Sequence, residues 1–522
     1  METIKIDGIE LDSNNKQFFN AAEFIESTNN NLYLTGKAGT GKTTFLKYLR
    51  KVTKKKMVVL APTALAAVNA NGQTIHSFFR IDYKHLFIPD DPWLEVKNNN
   101  SDEPTVYERF RYSKSKIELI NELELIVIDE ISMVRCELLD VVDKLLRIYR
   151  KSEIVFGGIQ MVFIGDVFQL PPVTNLKIEW PILKEYYDSP YFFSSFSIRR
   201  AKPYYIELEK IYRQNEMEFI NVLNRIRIGD VHQSDISYLN KRVNYSFNND
   251  EGYIIWGTTN VFVDNENQKR LAQLDGELIE HEAIIENTFN GEPAPKLLQL
   301  KKGAQVVFLR NDIEKQFYNG QIGVVKEIYD DVIEIVTKDE DVIKVSRATW
   351  ENIEFSIKEN ILPDGTKKRE IISNVLGTFT QFPIKLGWAI TVHKSQGQTF
   401  DKVIADVSGA FAEGQVYVAL SRCTTLNGLI LRSPITRNDI KTSPAVIEFA
   451  KTITPDVKLK EAIIMGKADQ LYKEARNALK KGQAEECLNA LLNAIKYRDD
   501  TQTDLFKRYF SVWFRKLYKS AI

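Results

Sequence analysis

Cysteine is scarce in this sequence, and long apolar runs are missing. The three cysteines, Cys136, Cys423 and Cys487, lie far apart and show no C-x-x-C spacing. This pattern argues against a disulfide framework and a zinc site, and it favours a reducing compartment. No run is long enough to cross a bilayer, and the first residues lack the apolar core of a signal peptide. We therefore expect a cytoplasmic protein of bacterial type without a membrane partner, although a nuclear or organellar location stays open.

An excess of charge of either sign is also missing. Lys+Arg and Asp+Glu both total 70, so the formal net charge is zero. Overall charge therefore gives no sign of nucleic-acid binding, and a path for DNA would need a local groove. The chain is long, since 522 residues are more than one ordinary hydrophobic core can organise. At about 150 residues per domain, this length predicts three or four domains.

Short apolar runs alternate with helical stretches in the first part of the chain, as in a buried parallel sheet of βαβ units. The predicted strands lie at 32–34, 57–60, 125–128 and 161–164. Residues 80–115, rich in Asp, Asn and Pro, predict a small surface insertion. A second α/β region is predicted to begin near 204–208 and to resume around 253–260, 402–407 and 429–435.

The rest of the chain differs in character. Residues 300–384 carry short alternating strands with turn signals, which predict a small antiparallel barrel inserted in the second region. Beyond 452 the pattern is helical, and one helical hairpin resembles a single tetratricopeptide-type repeat docked as an appendage. The last helix carries an aromatic stripe that faces either the core or a partner: Phe506, Tyr509, Phe510, Trp513 and Phe514.

Residues 36–43, GKAGTGKT, match the phosphate-loop pattern G-x-x-x-x-G-K-[ST]. The match follows an apolar strand and precedes a helical run, which is the context that the pattern needs. Backbone N–H groups would surround the phosphates, Lys42 would lie between the β- and γ-phosphates, and the Thr43 hydroxyl would hold magnesium. The predicted ATP contacts here are Gly36, Ala38, Gly39, Thr40, Gly41, Lys42, Thr43 and Thr44.

Asp129 and Glu130 close the third predicted strand, where a carboxylate at the carboxyl edge of the sheet would face the phosphate loop. We expect Asp129 to bind magnesium, directly or through water. Glu130 would orient and deprotonate the attacking water.

A phosphate loop also suits GTPases, kinases and transporters, so the second region must decide the class. Charge that builds on the γ-phosphate can be stabilised by an arginine from another element, with an effect on the order of 10³–10⁵ in rate. Arg213 and Arg422 are the two candidates, although either alone could be a surface ion-pair partner.

Taken in order, eight segments resemble superfamily-one helicases of the Pif (petite integration frequency) family, which are related to RecD-type helicases. They are GKAGTGKT (36–43), APTALAA (61–67), TIHSF (74–78), IDEISM (128–133), GDVFQLPP (165–172), YRQ (212–214), TVHKSQGQT (391–399) and YVALSR (417–422).

The resemblance implies an α/β fold with two RecA-like P-loop lobes, each with a parallel sheet, an inserted SH3-like β-barrel and a C-terminal helical appendage. The implied domains are lobe 1A (1–79 and 116–196), insertion 1B near the fork (80–115), lobe 2A (197–299 and 385–451), insertion 2B (300–384) and the helical extension (452–522).

The resemblance also implies roles for single residues. Gln169 would sense the γ-phosphate, Gln17 would contact adenine, and Gly397 would join the ATP site. Phe78 could stack on a base or belong to a buried pair with Phe79. The implied DNA contacts are Pro62, Thr63, His76, Phe78, Thr391, His393 and Lys394, which would hold DNA without reading its sequence.

We therefore expect an ATP- and magnesium-dependent DNA helicase that moves 5′ to 3′ on single-stranded DNA, with roles in repair, recombination or telomere and genome maintenance. Single-stranded and forked DNA would be its partners, the chain would be a monomer in solution, and the helical tail could bind a protein. Two alternatives stay open: an RNA helicase of the same superfamily, and an ATP-dependent clamp that does not unwind. A clamp would be expected to lack Glu130, Gln169 or Arg422, and all three are present.

Overall fold

A computed structural model describes residues 3–6, 9–96, 104–175, 177–212, 216–244, 252–257, 260–312, 316–337, 341–361, 367–391, 400–405 and 413–520. Among these residues, no helix combines the length and apolar character needed to span a bilayer.

The first half of the chain is built on a parallel sheet of six strands. The described strands in this half of the chain are β1 (Thr3–Ile6), β2 (Ile9–Asp12), β3 (Leu32–Gly36), β4 (Met57–Ala61), β5 (Gln73–Thr74), β6 (Leu125–Ile128), β7 (Gln160–Ile164) and β8 (Tyr204–Leu208). β1 and β2 form a separate hairpin, and the sheet has the order β5-β4-β6-β7-β3-β8. The four strands predicted in this region, β3, β4, β6 and β7, are confirmed as neighbours in one buried parallel sheet. We call this sheet and its helices the first lobe.

The prediction for Tyr204–Leu208 was wrong in one respect. The segment is a strand, but it does not open the second α/β region. It pairs with β3 in parallel, with Leu32 opposite Tyr204 and Leu34 opposite Ile206. Ile206 and Leu208 are buried in the same core cluster as β3. The alternating apolar pattern identified the strand, but such a pattern does not specify which strand lies beside it.

Helices cover both faces of this sheet. They are α1 (Lys16–Ser27), α2 (Lys42–Val52), α3 (Ala64–Asn69), α4 (Ile75–Phe79), α5 (Val106–Phe110), α6 (Lys114–Glu122), α7 (Cys136–Arg150), α8 (Trp180–Leu183) and α9 (Phe196–Arg200). α7 shows why they pack, since Leu139, Val142 and Leu146 recur at helical spacing and are fully buried. Apolar residues from the predicted small insertion, such as Phe87 and Phe110, join the same core.

Within the residues that the structure describes, the second half of the chain contains fourteen strands in several sheets. They are β9 (Ile254–Gly257), β10 (Ile279–Glu282), β11 (Ile284–Asn287), β12 (Leu297–Leu300), β13 (Gln305–Phe308), β14 (Ile322–Ile328), β15 (Val332–Thr337), β16 (Val342–Ser346), β17 (Ala348–Ile361), β18 (Lys367–Gln381), β19 (Ile384–Leu386), β20 (Ala389–Thr391), β21 (Val403–Ala405) and β22 (Leu429–Leu431).

β9 and β20–β22 form a second parallel sheet in the order β20-β9-β21-β22. Its helices are α10 (Met217–Ile228), α11 (Gln233–Asn240), α12 (Asn260–Gln273), α13 (Gln415–Leu420) and α14 (Pro444–Ala450). We call this sheet with α10–α13 the second lobe. The α/β class with parallel sheets is confirmed.

An antiparallel sheet of five strands, β16-β15-β14-β13-β19, interrupts the second lobe where the sequence predicts a small barrel. It has a core of its own, which includes Phe308, Ile333 and Ile335. We call β13–β16 and β19 with their turns the inserted module. Beside it lies a long hairpin, β17–β18, which the sequence did not predict and which reaches the first lobe. There Arg369 forms an ion pair with Glu122.

The chain ends in three helices, α15 (Asp456–Lys480), α16 (Ala484–Ile495) and α17 (Asp504–Ser520). α15 begins on the first lobe, where Leu459 and Ile463 share a core with Phe24 and Ile25 of α1. On α17, the rings of Phe506 and Phe510 stack with centroids 4.3 Å apart, and Phe510 is buried. This part of the aromatic stripe therefore faces the core of the helical extension.

Candidate active site

The phosphate loop connects β3 to α2, so its residues lie at the carboxyl end of a central strand. Gly39 and Gly41 have φ angles of 81° and 92°, in the left-handed region that side chains disfavour. Backbone turns of this kind allow N–H groups of the loop to turn towards a bound phosphate. Lys42 Nζ lies above the loop and donates to the carbonyl oxygens of Gly36 and Lys37. The ammonium is therefore held where it can contact a bound phosphate chain.

Asp129 and Glu130 follow β6 at the same edge of the sheet. Asp129 is fixed by its backbone N–H, which donates to the Leu60 carbonyl at 2.9 Å. Glu130 has a φ of 51°, a strained value for a residue with a side chain. Burial raises the pKa of Asp129, and the neighbouring Glu130 carboxylate raises it further. Two adjacent carboxyl groups at this edge suit a site that receives a cation.

The second lobe touches the phosphate loop directly through Tyr417 of α13. The Tyr417 hydroxyl accepts a hydrogen bond from the Ala38 N–H at 3.3 Å and donates to Asp166 Oδ2 at 3.4 Å. Burial raises the pKa of Tyr417 above its usual value, so the hydroxyl keeps its proton. One side chain thereby links the phosphate loop, the GDVFQLPP segment and the second lobe.

Arg422 follows α13 and points into the same cleft. It is only 2% exposed, and its Nη2 donates to Gln169 Oε1 at 3.2 Å. Its Nε has no hydrogen-bond partner among the described residues. Burial lowers the pKa of Arg422, which shows how far the guanidinium is removed from water. A buried N–H without a partner costs about 1–3 kcal/mol, so a phosphate oxygen here would be bound favourably.

Sequence reasoning missed Arg227 of α10. Its guanidinium is 3.0 Å from Asp166 and 3.0 Å from Glu207, both in the first lobe, and it lies 4.2 Å from the Phe168 ring centre. Burial, the largest single influence, lowers the pKa of Arg227, but the acidic groups around it, Asp166 first, together outweigh burial and the pKa is raised. The only hint in the sequence was Asp166, an acidic residue within the GDVFQLPP segment that would need a basic partner if it were buried. This buried ion pair joins the two lobes behind the phosphate loop.

A cavity of about 460 Å³ continues from the phosphate loop towards α1. Its walls come from the first part of the chain (Leu11, Asp12, Asn15, Phe18, Gly39, Thr40, Gly41 and Thr44) and from later residues (Tyr212, Tyr318, Asp401 and Thr424). Asn15 caps α1 and donates to the Tyr212 hydroxyl at 3.1 Å. Gln17, the predicted adenine contact, does not line this cavity, because its Nε2 donates to Glu209 at 3.0 Å.

Comparison with known proteins identifies the family. A family model described as PIF1-like helicase matches residues 10–237. The ATP-dependent DNA helicase Pif1 of Campylobacter jejuni is 32% identical over 465 residues, which cover 83% of this chain and 97% of the relative. This chain belongs to the Pif1-like helicases. The predicted family is therefore confirmed.

Solved structures of Pif1 add a comparison of conformation. Bacteroides Pif1 in complex with ADP-AlF4 has a TM-score of 0.75 and 40% identity, covering 84% of this chain and 96% of that chain. The same protein bound to single-stranded DNA has 40% identity and equal coverage, but a TM-score of 0.57. Unliganded Bacteroides Pif1 has a TM-score of 0.73, so the arrangement of this Pif1-family chain is closer to both the unliganded protein and the ADP-AlF4 complex than to the form bound to single-stranded DNA.

The predicted DNA contacts differ in how accessible they are. Thr63 is exposed and caps α3, whereas Pro62 and His76 are half-buried. Burial lowers the pKa of His76, and Arg135 lowers it further. Thr391 is buried at the end of β20.

The predicted DNA contact of Phe78 is not supported in this arrangement. Its side chain is 1% exposed and cannot stack on a base. It packs against Phe79 and lies beneath Lys116 Nζ, which is 3.2 Å from the ring centre. Of the two readings of Phe78, the buried pair is the one observed. Predictions for Arg213, His393, Lys394 and Gly397 fall outside the described residues.

Proposed function

We propose that this Pif1-family chain is an ATP-dependent DNA helicase that hydrolyses ATP between its lobes and moves 5′ to 3′ on single-stranded DNA. The observation that carries the proposal is the set of buried contacts across the cleft. Tyr417 meets the phosphate loop, and Arg422 meets Gln169. A nucleotide between these groups would change the spacing of the lobes in each cycle, and that change could move a bound strand.

Each residue of the cleft has a role that its position supports. Lys42 would bind the β- and γ-phosphates, Glu130 would activate water, and Gln169 would sense the γ-phosphate. Arg422 would stabilise the charge that develops in the transition state. Arg213 lies outside the described residues, and the family resemblance alone supports the same role for it.

The fit for magnesium rests on the donor set beside Lys42. The Thr43 hydroxyl and Asp129 carboxylate are oxygen ligands of the kind that magnesium takes beside phosphates. The raised pKa of Asp129 is the expected property of a buried carboxyl group that a cation would stabilise as the anion. Bound magnesium would neutralise phosphate charge.

We propose single-stranded and forked DNA as partners. Bacteroides Pif1 has been solved bound to single-stranded DNA, and another structure concerns unwinding at forked duplex DNA by two Pif1 helicases. Thr63 and His76 offer a hydroxyl and an imidazole suited to phosphate and sugar rather than to base edges. A role in DNA repair or recombination is proposed on the same grounds.

We further propose the domain limits given above, with the first lobe extended to Leu208 because β8 lies in its sheet. We also propose a monomer away from DNA and a protein partner for the helical extension. Leu488 and Leu492 support that partner, since both are exposed one turn apart on α16.

A strand-displacement assay tests this function. Matched duplexes carry a 5′ tail or a 3′ tail, with the loading strand made of DNA or RNA, and Lys42→Ala serves as the inactive control. We expect ATP-dependent unwinding only from the 5′ DNA tail. Unwinding from the 3′ tail would overturn the polarity, and preference for the RNA tail would favour an RNA helicase. DNA-stimulated ATP hydrolysis without strand separation would favour a clamp.

A further inference from the structure

The cavity next to the phosphate loop has walls from three parts of the molecule. Phe18 and Asn15 come from the first lobe, Asp401 and Thr424 from the second lobe, and Tyr318 from the inserted module. We propose that Tyr318 contacts the purine base of the nucleotide, so that the inserted module takes part directly in nucleotide binding. This inference rests on the proposed function, because it assigns the cavity to the base of ATP.

Tyr318 is held in place by the turn that carries it. The preceding Phe317 is buried and stacks on Phe308 of the module core, with ring centres 4.3 Å apart. The Tyr318 N–H donates to Gln321 Oε1 at 3.0 Å, and the Asn319 N–H donates to Asn311 Oδ1 at 2.8 Å. The ring therefore has a fixed anchor in the module and is not the tip of an unsupported loop.

The hydroxyl of Tyr318 connects the module to the second lobe. It donates to Asp401 Oδ2 at 3.5 Å, while Thr424 donates to the other oxygen, Oδ1, at 2.9 Å. Asp401 is thus oriented from two sides and lines the cavity. Tyr318 is 46% exposed and lines the same cavity as Gly39, Thr40 and Gly41 of the phosphate loop.

The rest of the cavity suits a flat heteroaromatic ring. Leu11 and Phe18 give it a buried apolar side, and Tyr212 adds a second aromatic ring close to Gly41. Aromatic rings bind planar groups by stacking and by their edges, and phenol rings do so at little entropic cost. A purine attached to a triphosphate on the loop is the ligand class that matches these walls.

The position of Tyr318 has a thermodynamic consequence. If the nucleotide binds both the first lobe and the module, then whatever shifts the module changes nucleotide affinity, and the reverse must also hold. The neighbouring hairpin β17–β18 contacts the first lobe, where the Phe355 N–H donates to Gln73 at 3.4 Å. The hairpin that follows β16 therefore gives this part of the chain a second connection to the first lobe, away from the cavity.

Calorimetric titration of the full chain with ADP and with tripolyphosphate tests the proposal. Tripolyphosphate carries the phosphates but no base. For Tyr318→Ala we expect ADP affinity to fall about three- to tenfold, with tripolyphosphate affinity unchanged. Tyr318→Phe keeps the ring and should retain most of the ADP affinity. Tyr329→Ala is the matched control, because Tyr329 belongs to the same module, is 55% exposed and does not line the cavity.

Equal ADP affinity in the wild type and Tyr318→Ala would overturn the inference, as would an equal loss for ADP and tripolyphosphate. A failure of the proposed function looks different. In that case Lys42→Ala would leave both affinities unchanged, whatever the behaviour of Tyr318.

Discussion

The two ends of the cleft differ in how they are built. At the phosphate end, Tyr417, Arg422 and Arg227 meet the first lobe through buried polar contacts of 3.0 to 3.4 Å. At the base end, Tyr212 and Tyr318 are aromatic rings that stay partly exposed. Buried charges are costly to displace, whereas exposed rings can adjust. We infer that the phosphate end controls ATP hydrolysis and its coupling to movement of the lobes, and that the base end controls the affinity for the nucleotide.

The largest effect should come from removing the ammonium at the phosphate end. Lys42→Ala should reduce DNA-stimulated ATP hydrolysis to background, because both phosphate binding and charge stabilisation are lost. Phosphate release measures the rate, and circular dichroism checks that the fold is kept. Turnover near the wild-type rate would remove Lys42 from the site.

Arg422→Ala should separate binding from turnover. We expect a loss of turnover on the order of 10³-fold, with ADP affinity changed far less, because an arginine finger acts mainly in the transition state. Phosphate release under saturating ATP gives the turnover rate, and calorimetric titration with ADP gives the affinity. A normal rate would exclude Arg422 from catalysis.

Arg227→Met tests the ion pair that joins the lobes. It leaves the buried carboxylate of Asp166 and the half-buried carboxylate of Glu207 without their cation, so the free energy of unfolding should fall by about 3–5 kcal/mol. Arg199→Met on α9 removes an exposed ion pair with Asp188 and should change the free energy of unfolding by about 0–1 kcal/mol. Urea denaturation measures the free energy of unfolding of both variants. Equal decreases would mean that the Arg227 ion pair stabilises the protein no more than an exposed pair does.

The smallest effect at the phosphate end should follow Tyr417→Phe. The ring stays in the core while the hydrogen bonds to Ala38 and Asp166 are lost, which costs about 1 kcal/mol and should slow turnover several-fold. Tyr187→Phe is the control, since its buried hydroxyl bonds Asp140 on α7 at 3.0 Å, away from the cleft. Slower turnover in both variants would point to general destabilisation.

Local signals in the sequence predicted much of this arrangement. The phosphate loop and strands β3, β4, β6 and β7 depend on neighbouring residues, so motif and periodicity sufficed, and the α/β class and the family are confirmed. The relatives are named ATP-dependent DNA helicases, as the predicted function requires.

What the sequence did not reveal depends on distant partners. β8 was assigned to the wrong region because its pairing with β3 joins residues far apart in the chain. Arg227 meets Asp166 across 61 residues, and Tyr318 meets Asp401 across 83. Phe78 shows the same limit, since a motif position cannot tell a base-stacking ring from a buried one.

A structure of this chain with ADP, aluminium fluoride and magnesium tests the central claim most directly. The account predicts that Lys42 from the first lobe and Arg422 from the second both contact the fluoroaluminate, with the adenine beside Tyr212. An Arg422 guanidinium that points away from the bound analogue would contradict it, because the cation through which the second lobe is proposed to promote hydrolysis would then be absent from the site.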